Sequence, residues 1–84
     1  MTRNRVVAVR RPSGTDAAEL LWKLAKGVHR RTAILVRGGK TLELRLTLNG
    51  AVDRTERHAD RLGALENARL EREALERKGW TPHA

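Results

Sequence analysis

Leu42, Leu44, Leu46 and Leu48 alternate strictly with Glu43, Arg45 and Thr47. Successive side chains of a strand point to opposite faces, so a period of two over seven residues predicts a half-buried strand. Just before it lies a β-prone run, Arg31-Thr32-Ala33-Ile34-Leu35-Val36-Arg37, and Gly38-Gly39 separates the two. A glycine pair between strand-forming runs predicts a tight hairpin, because the central turn residues take positive φ. Pairing Arg37 with Lys40 sets Leu35 opposite Leu42 and Ala33 opposite Leu44, which makes one apolar surface. Ile34 and Val36 are left on the other face. Asn49-Gly50 is the strongest short-range hairpin signal and predicts that Ala51 to His58 returns beside the leucine strand. That run is polar, so an edge strand is expected, with Arg54 opposite Arg45.

Two segments carry a helical period instead. Ala17, Leu20, Leu21, Leu24 and Val28 fall at i, i+3, i+4, i+7 and i+11, which predicts an amphipathic helix after Pro12-Ser13-Gly14-Thr15. Ser13 or Thr15 would cap it, Asp16 and Glu19 suit its positive end, and Gly27 would close it with Val28 folded back near Trp22. The second helix is predicted from Asp60 to Lys78, with Leu62, Leu65, Ala68 and Leu75 in one stripe. Gly79 and Trp80 would end it by folding Trp80 onto Leu75, and Pro82 prevents resumption. Leu70 and Ala74 fall outside that stripe as a second apolar patch, suited to a homodimer contact. Val6 to Val9, between Arg5 and Arg10-Arg11, fits either an edge strand or a basic arm. The expected fold is a small single α+β domain, (β)-α-β-β-β-α, with two helices on one face of an antiparallel three-stranded sheet. Its expected division is residues 1–12 as arm or edge strand, 13–80 as the domain and 81–84 as a tail.

Composition narrows the chemistry. In 84 residues there is no Phe, Tyr or Cys, and 39% are hydrophobic. A chain this short buries only about 60% of the surface its unfolded form exposes, so dimerisation is a natural way to bury more leucine. Without cysteine there are no disulfides, thiolate nucleophiles or Cys-ligated zinc. No run is long and apolar enough to cross a bilayer, and the start lacks a signal-peptide core, so no membrane is expected and the expected compartment is the cytoplasm.

Charge changes the picture most. Of the formal net +8, all is carried by residues 1–50, where eleven Lys/Arg stand against three acids; residues 51–84 hold seven of each sign. A chain with one basic half presents a surface for a polyanion. The residues expected to form it are Arg30, Arg31, Arg37, Lys40, Arg45 and Arg54 around the hairpin, with Arg5, Arg10 and Arg11 from the arm. DNA or RNA, held by its backbone, is the leading partner. Base stacking is disfavoured because Trp22 and Trp80 are the only aromatics. Arg37-Gly38-Gly39-Lys40 lacks the spacing of a phosphate-binding loop and joins strand to strand.

No catalytic residue, cofactor or metal site is expected. His29, His58 and His83 match no zinc spacing, and no paired acid or nucleophile accompanies them at a recognisable interval. Two other readings stay open. One is a compact regulator or inhibitor of the phage or mobile-element kind, docking an acidic protein. The other is a small ribonuclease-type toxin, in which His29→Ala or His58→Ala would abolish toxicity.

The expected order of elements resembles that of double-stranded-RNA-binding domains and of the sheet-plus-helix DNA-binding domains of phage-type integrases. The likeness is one of layout. The basic start of the last helix in the former is replaced here by Asp60-Arg61-Leu62-Gly63, and no residue role is carried over.

Overall fold

Three two-residue turns fold the chain into a four-stranded antiparallel meander: β1 (Ala18–Lys26), β2 (His29–Gly38), β3 (Thr41–Leu48) and β4 (Ala51–His58). The helix α1 (Arg61–Arg77) then crosses one face, and β5 (Thr81–Pro82) returns to the β1 edge. The structure, a computed structural model, describes residues 18–83. The sheet order is β4-β3-β2-β1-β5. The α+β class and the hairpin are as the pattern predicts. The element count is not: among the described residues there are five strands and one helix, in place of a three-stranded sheet with two helices. The predicted strand or arm at residues 1–12, with Arg5, Arg10 and Arg11, lies outside the described residues.

The first helix is replaced by β1, and a β-bulge explains why the pattern misleads. Leu20 pairs with Ile34 and Trp22 with Ala33, so Leu21 is an extra residue inserted into the ladder. The insertion breaks the period of two, and Leu20, Leu21 and Leu24 then imitate a helical stripe. Ala, Glu, Leu and Lys also favour helix locally, but pairing with β2 overrides that preference. Gly27, at φ 61°, is the first residue of a hairpin turn and not a helix cap.

Hairpin registers differ in detail. The β2–β3 turn is Gly39-Lys40, with Gly38 paired to Thr41, Leu35 to Leu44 and Ala33 to Leu46. Each expected partner of β2 has moved by two residues, which preserves the faces. Asn49 and Gly50 turn as predicted, with φ of 53° and 88°. Beyond them β4 carries a second bulge, at Asp53: Thr47 faces Val52, but Leu46 faces Arg54.

The core lies between the sheet and α1. Trp22, Leu24, Ala33, Leu35, Leu42, Leu44 and Leu46 meet Ala64, Ala68 and Leu75. The helical stripe is offset from the expected one: Leu62 is 80% exposed and Ala64 is buried. The sheet already supplies the bulk, so the helix presents alanines and packs close. Trp22 donates its Nε1–H to the Ala68 carbonyl at 2.8 Å, which satisfies its one polar atom inside the core.

The C-terminal end of α1 closes as the sequence predicts, and the structure adds a cap at the other. Asp60 caps it by accepting from the Gly63 amide at 2.7 Å. At the other end Trp80 N–H donates to Leu75 O and Gly79 N–H to Glu76 O, both at 3.1 Å, the double closure that needs a left-handed residue between them. Gly79 fills that position at φ 101°. Gly79→Ala is expected to cost about 1–2 kcal/mol, measured as a lower urea midpoint with an unchanged slope. A Cβ there would meet only the flexible Lys26 side chain, whose Cε lies at 3.5 Å, so the cost is one of backbone conformation.

Candidate nucleic-acid interface

α1 covers one face of the sheet, and among the described residues no element packs on the other. Cross-strand register defines that open face row by row. Ala18, Val36, Glu43 and Arg57 form one row, Leu20, Ile34, Arg45 and Thr55 the next, and Lys23, Thr32, Thr47 and Val52 a third; Arg30 lies beyond them beside Ala25. The centre is a pair of threonines, with Thr32 Oγ1 and Thr47 Oγ1 2.5 Å apart. One corner is apolar, built from Ala18, Leu20, Ile34 and Val36. Four cations surround these features: Lys23, Arg30, Arg45 and Arg57.

Among the described residues Glu43 is the single carboxylate on this face, so their net charge there is +3. Arg45 lies 2.9 Å from Glu43 and Arg57 3.9 Å. Among the described residues, no carboxylate lies within 4.0 Å of Lys23 or Arg30. Arg30 is held by its own turn, donating to the Gly27 and His29 carbonyls at 3.0 and 2.9 Å. Residues 60–78, which contain α1, hold five cations and five carboxylates. Neighbouring strands lie about 4.8 Å apart, so cations two strands apart are separated by roughly 10 Å or more.

The six hairpin cations named from the sequence do not share one face. Arg30 and Arg45 are on the open face. Lys40 occupies the β2–β3 turn, and Arg37 lies beside it on the helix side, near Glu19, Leu42 and Arg61. Arg31 and Arg54 point toward the helix side. Arg31 reaches Asp53 at 3.4 Å and lies 5.5 Å from the Trp80 ring centre. Arg54 reaches Glu71 at 3.0 Å and Glu56 at 3.1 Å. The Asp53 bulge is the cause for Arg54: it slides β4 by one residue, so Thr55 and not Arg54 faces Arg45.

Two residues of this face escape sequence reasoning. Lys23 is hidden because its segment reads as helix. Arg57 is hidden by the bulge. A signal for Lys23 is present, since it separates Trp22 and Leu24, both buried.

No family model, curated protein or solved structure matches the chain.

The helix side holds a structural network. His58 lies 3.2 Å from Glu56, an acid partner that strand spacing i, i+2 puts on the same face. Asn67 donates to Glu56 at 3.0 Å and ties β4 to α1. That Asn67 hydrogen bond, with smaller help from His58 and Arg54, holds the Glu56 carboxyl below its ordinary 4.5 against the opposing effect of burial. A carboxyl depressed on folding adds stability that is present above the ordinary carboxylate range and lost as pH falls through it. Between roughly pH 5 and pH 3, Glu56→Gln is therefore expected to lose less stability than the wild type, read by urea midpoints at each pH. His29 lies 3.3 Å from Asn49 at the other end of the sheet. Among the described residues, no group of three His, Asp or Glu could hold a metal ion, and no helix is long and apolar enough to cross a membrane.

Proposed function

We propose that the protein is a cytoplasmic nucleic-acid-binding accessory protein, without catalytic activity, that holds the phosphate backbone of DNA or RNA against its open sheet face. Lys23, Arg30, Arg45 and Arg57 make the contacts. The observation that carries this reading is the uneven charge. The uncovered face holds four cations to one carboxylate, while the helical layer is neutral. Cations placed along a rigid sheet can each displace a counterion from a phosphate chain, and the released ions drive association.

Trp22 is buried and Trp80 packs against the core on the helix side, so the open face has no stacking platform. Backbone contacts position a nucleic acid without reading its sequence. Four phosphate contacts predict that the logarithm of the duplex-DNA binding constant falls with the logarithm of salt at a slope of about −3.6. A fluorescence-anisotropy titration at several salt concentrations measures it. Undetectable binding at low salt, or a slope near zero, rejects the reading.

The apolar corner favours one rival, a regulator docking an acidic protein. Leu20 is 53% exposed, and an apolar anchor within a cationic rim suits a protein surface. Capture of one acidic protein that survives nuclease treatment is the outcome that selects it.

A further inference from the structure

We propose that two copies of the chain pair edge to edge through β4, antiparallel about a dyad at Thr55, so that one sheet runs across both. β4 ends the sheet order, whereas β5 lies beyond β1 at the other end. Among the described residues nothing hydrogen-bonds along its outer edge, and a row of unpaired amides and carbonyls is a template for another strand.

The sequence of β4 states which strand fits. Around Thr55 the charges run Asp53, Arg54, then Glu56, Arg57. Antiparallel pairing about Thr55 places Arg54 opposite the partner's Glu56, both on the helix side of the sheet. Symmetry repeats the pair, giving two opposite-charge contacts. Moving the dyad by one residue, to Arg54 or to Glu56, sets that residue against its own copy. Both alternatives oppose like charges, which destabilises a cross-strand pair. The edge is thus complementary to itself in one register. The bulge at Asp53 ends that pairing on one side of the dyad, and symmetry ends it on the other.

The helix supplies a second contact on the same side. Asn67 and Glu71 reach down to β4. Leu70, 49% exposed, and Ala74 stand three residues further along from each, on the flank of α1 away from Leu65 and Arg69. Edge-to-edge pairing brings this flank alongside its copy and covers Leu70, the burial that a chain of this size lacks. Electrostatics favours the edge over the open face for self-association. Asp53, Arg54, Glu56 and Arg57 sum to zero, whereas two open faces would press +3 on +3. A dyad perpendicular to the sheet leaves both open faces on the same side, joined through Thr55. The pairing stands on β4 and the α1 flank and does not need the nucleic-acid reading.

The chain has no cysteine, so Thr55→Cys introduces a single thiol at the dyad. Residues directly opposed across antiparallel strands have Cα atoms about 4.5–5.5 Å apart, within disulfide reach. T55C is expected to cross-link under mild oxidation at micromolar protein, while R57C, away from the dyad, stays uncross-linked. Light scattering is expected to give twice the 9.5 kDa chain mass for the wild type and the single-chain mass for Leu70→Glu, an exposed position whose far-UV circular dichroism should be unchanged. A monomeric wild type at that concentration overturns the proposal. So does equal cross-linking of T55C and R57C. Neither readout involves nucleic acid, so failure here is separable from failure of the binding reading.

Discussion

Leu24→Ala and Leu44→Ala are each expected to destabilise the protein by about 2–5 kcal/mol, while Leu20→Ala costs under about 1 kcal/mol. Leu24 and Leu44 are the largest fully buried side chains, at 1% and 0% exposure. Each fills a position between the sheet and the alanines of α1, which cannot collapse far into a void because their backbone is already close. A small domain has only about 5–15 kcal/mol in total, so either change should leave it near its unfolding threshold. Leu20 is the control that gives the experiment its force. On an amphipathic helix, Leu20 and Leu24 sit one turn apart on the same stripe and their truncations cost alike. In β1 the bulge at Leu21 separates them: Leu24 turns inward and Leu20 lies on the open face. Urea denaturation of the three variants measures the difference. Similar losses for Leu20→Ala and Leu24→Ala would contradict β1.

The second large effect concerns the open face. Lys23→Ala, Arg30→Ala and Arg57→Ala combined are expected to reduce duplex affinity on the order of a thousandfold at low salt. A charged hydrogen bond contributes about 1.5–3 kcal/mol, and 1.4 kcal/mol is tenfold, so tenfold for each residue is the lower end. The salt slope should fall by about one per residue removed. Arg31→Ala and Arg54→Ala are the matched controls. They remove as much charge per residue, but from the helix side, where Asp53, Glu56 and Glu71 hold them. The hydrogen bond that Arg54 donates to Glu71, with smaller contributions from Glu56 and Asp53, raises the Arg54 pKa above its ordinary value. Losing Arg54 should therefore lower stability and leave the salt slope unchanged. An equal loss of affinity from both groups would mean that net charge alone drives binding, with no face involved.

These contrasts turn on how far the residues reveal their own placement. The leucine alternation of β3, the Asn49-Gly50 turn and the Gly79-Trp80 closure are local devices. Each is set by side-chain period or by the φ its residues tolerate, and each is found where the pattern places it. The departures share one cause. A β-bulge adds a residue without any strong sequence mark, and two of them, at Leu21 and Asp53, shift the downstream residues of their strands by one position. The first disguises β1 as a helix and conceals Lys23. The second moves Arg54 off the open face and puts Thr55 there. The helical stripe departs for another reason: leucine outranks alanine in any hydrophobicity count, yet the space above a leucine-rich sheet admits alanine. Charge segregation is readable from the sequence, and its direction is not, because direction depends on register.

Mapping backbone amide shifts as duplex DNA is added tests the central claim most directly. In a 15N-labelled sample the amides of Lys23, Thr32, Arg45, Thr47 and Arg57 are expected to move together and saturate at one stoichiometry, with residues 64–75 of α1 unmoved. Shifts concentrated on α1, or spread evenly over both sides of the sheet, would contradict a binding surface on the open face.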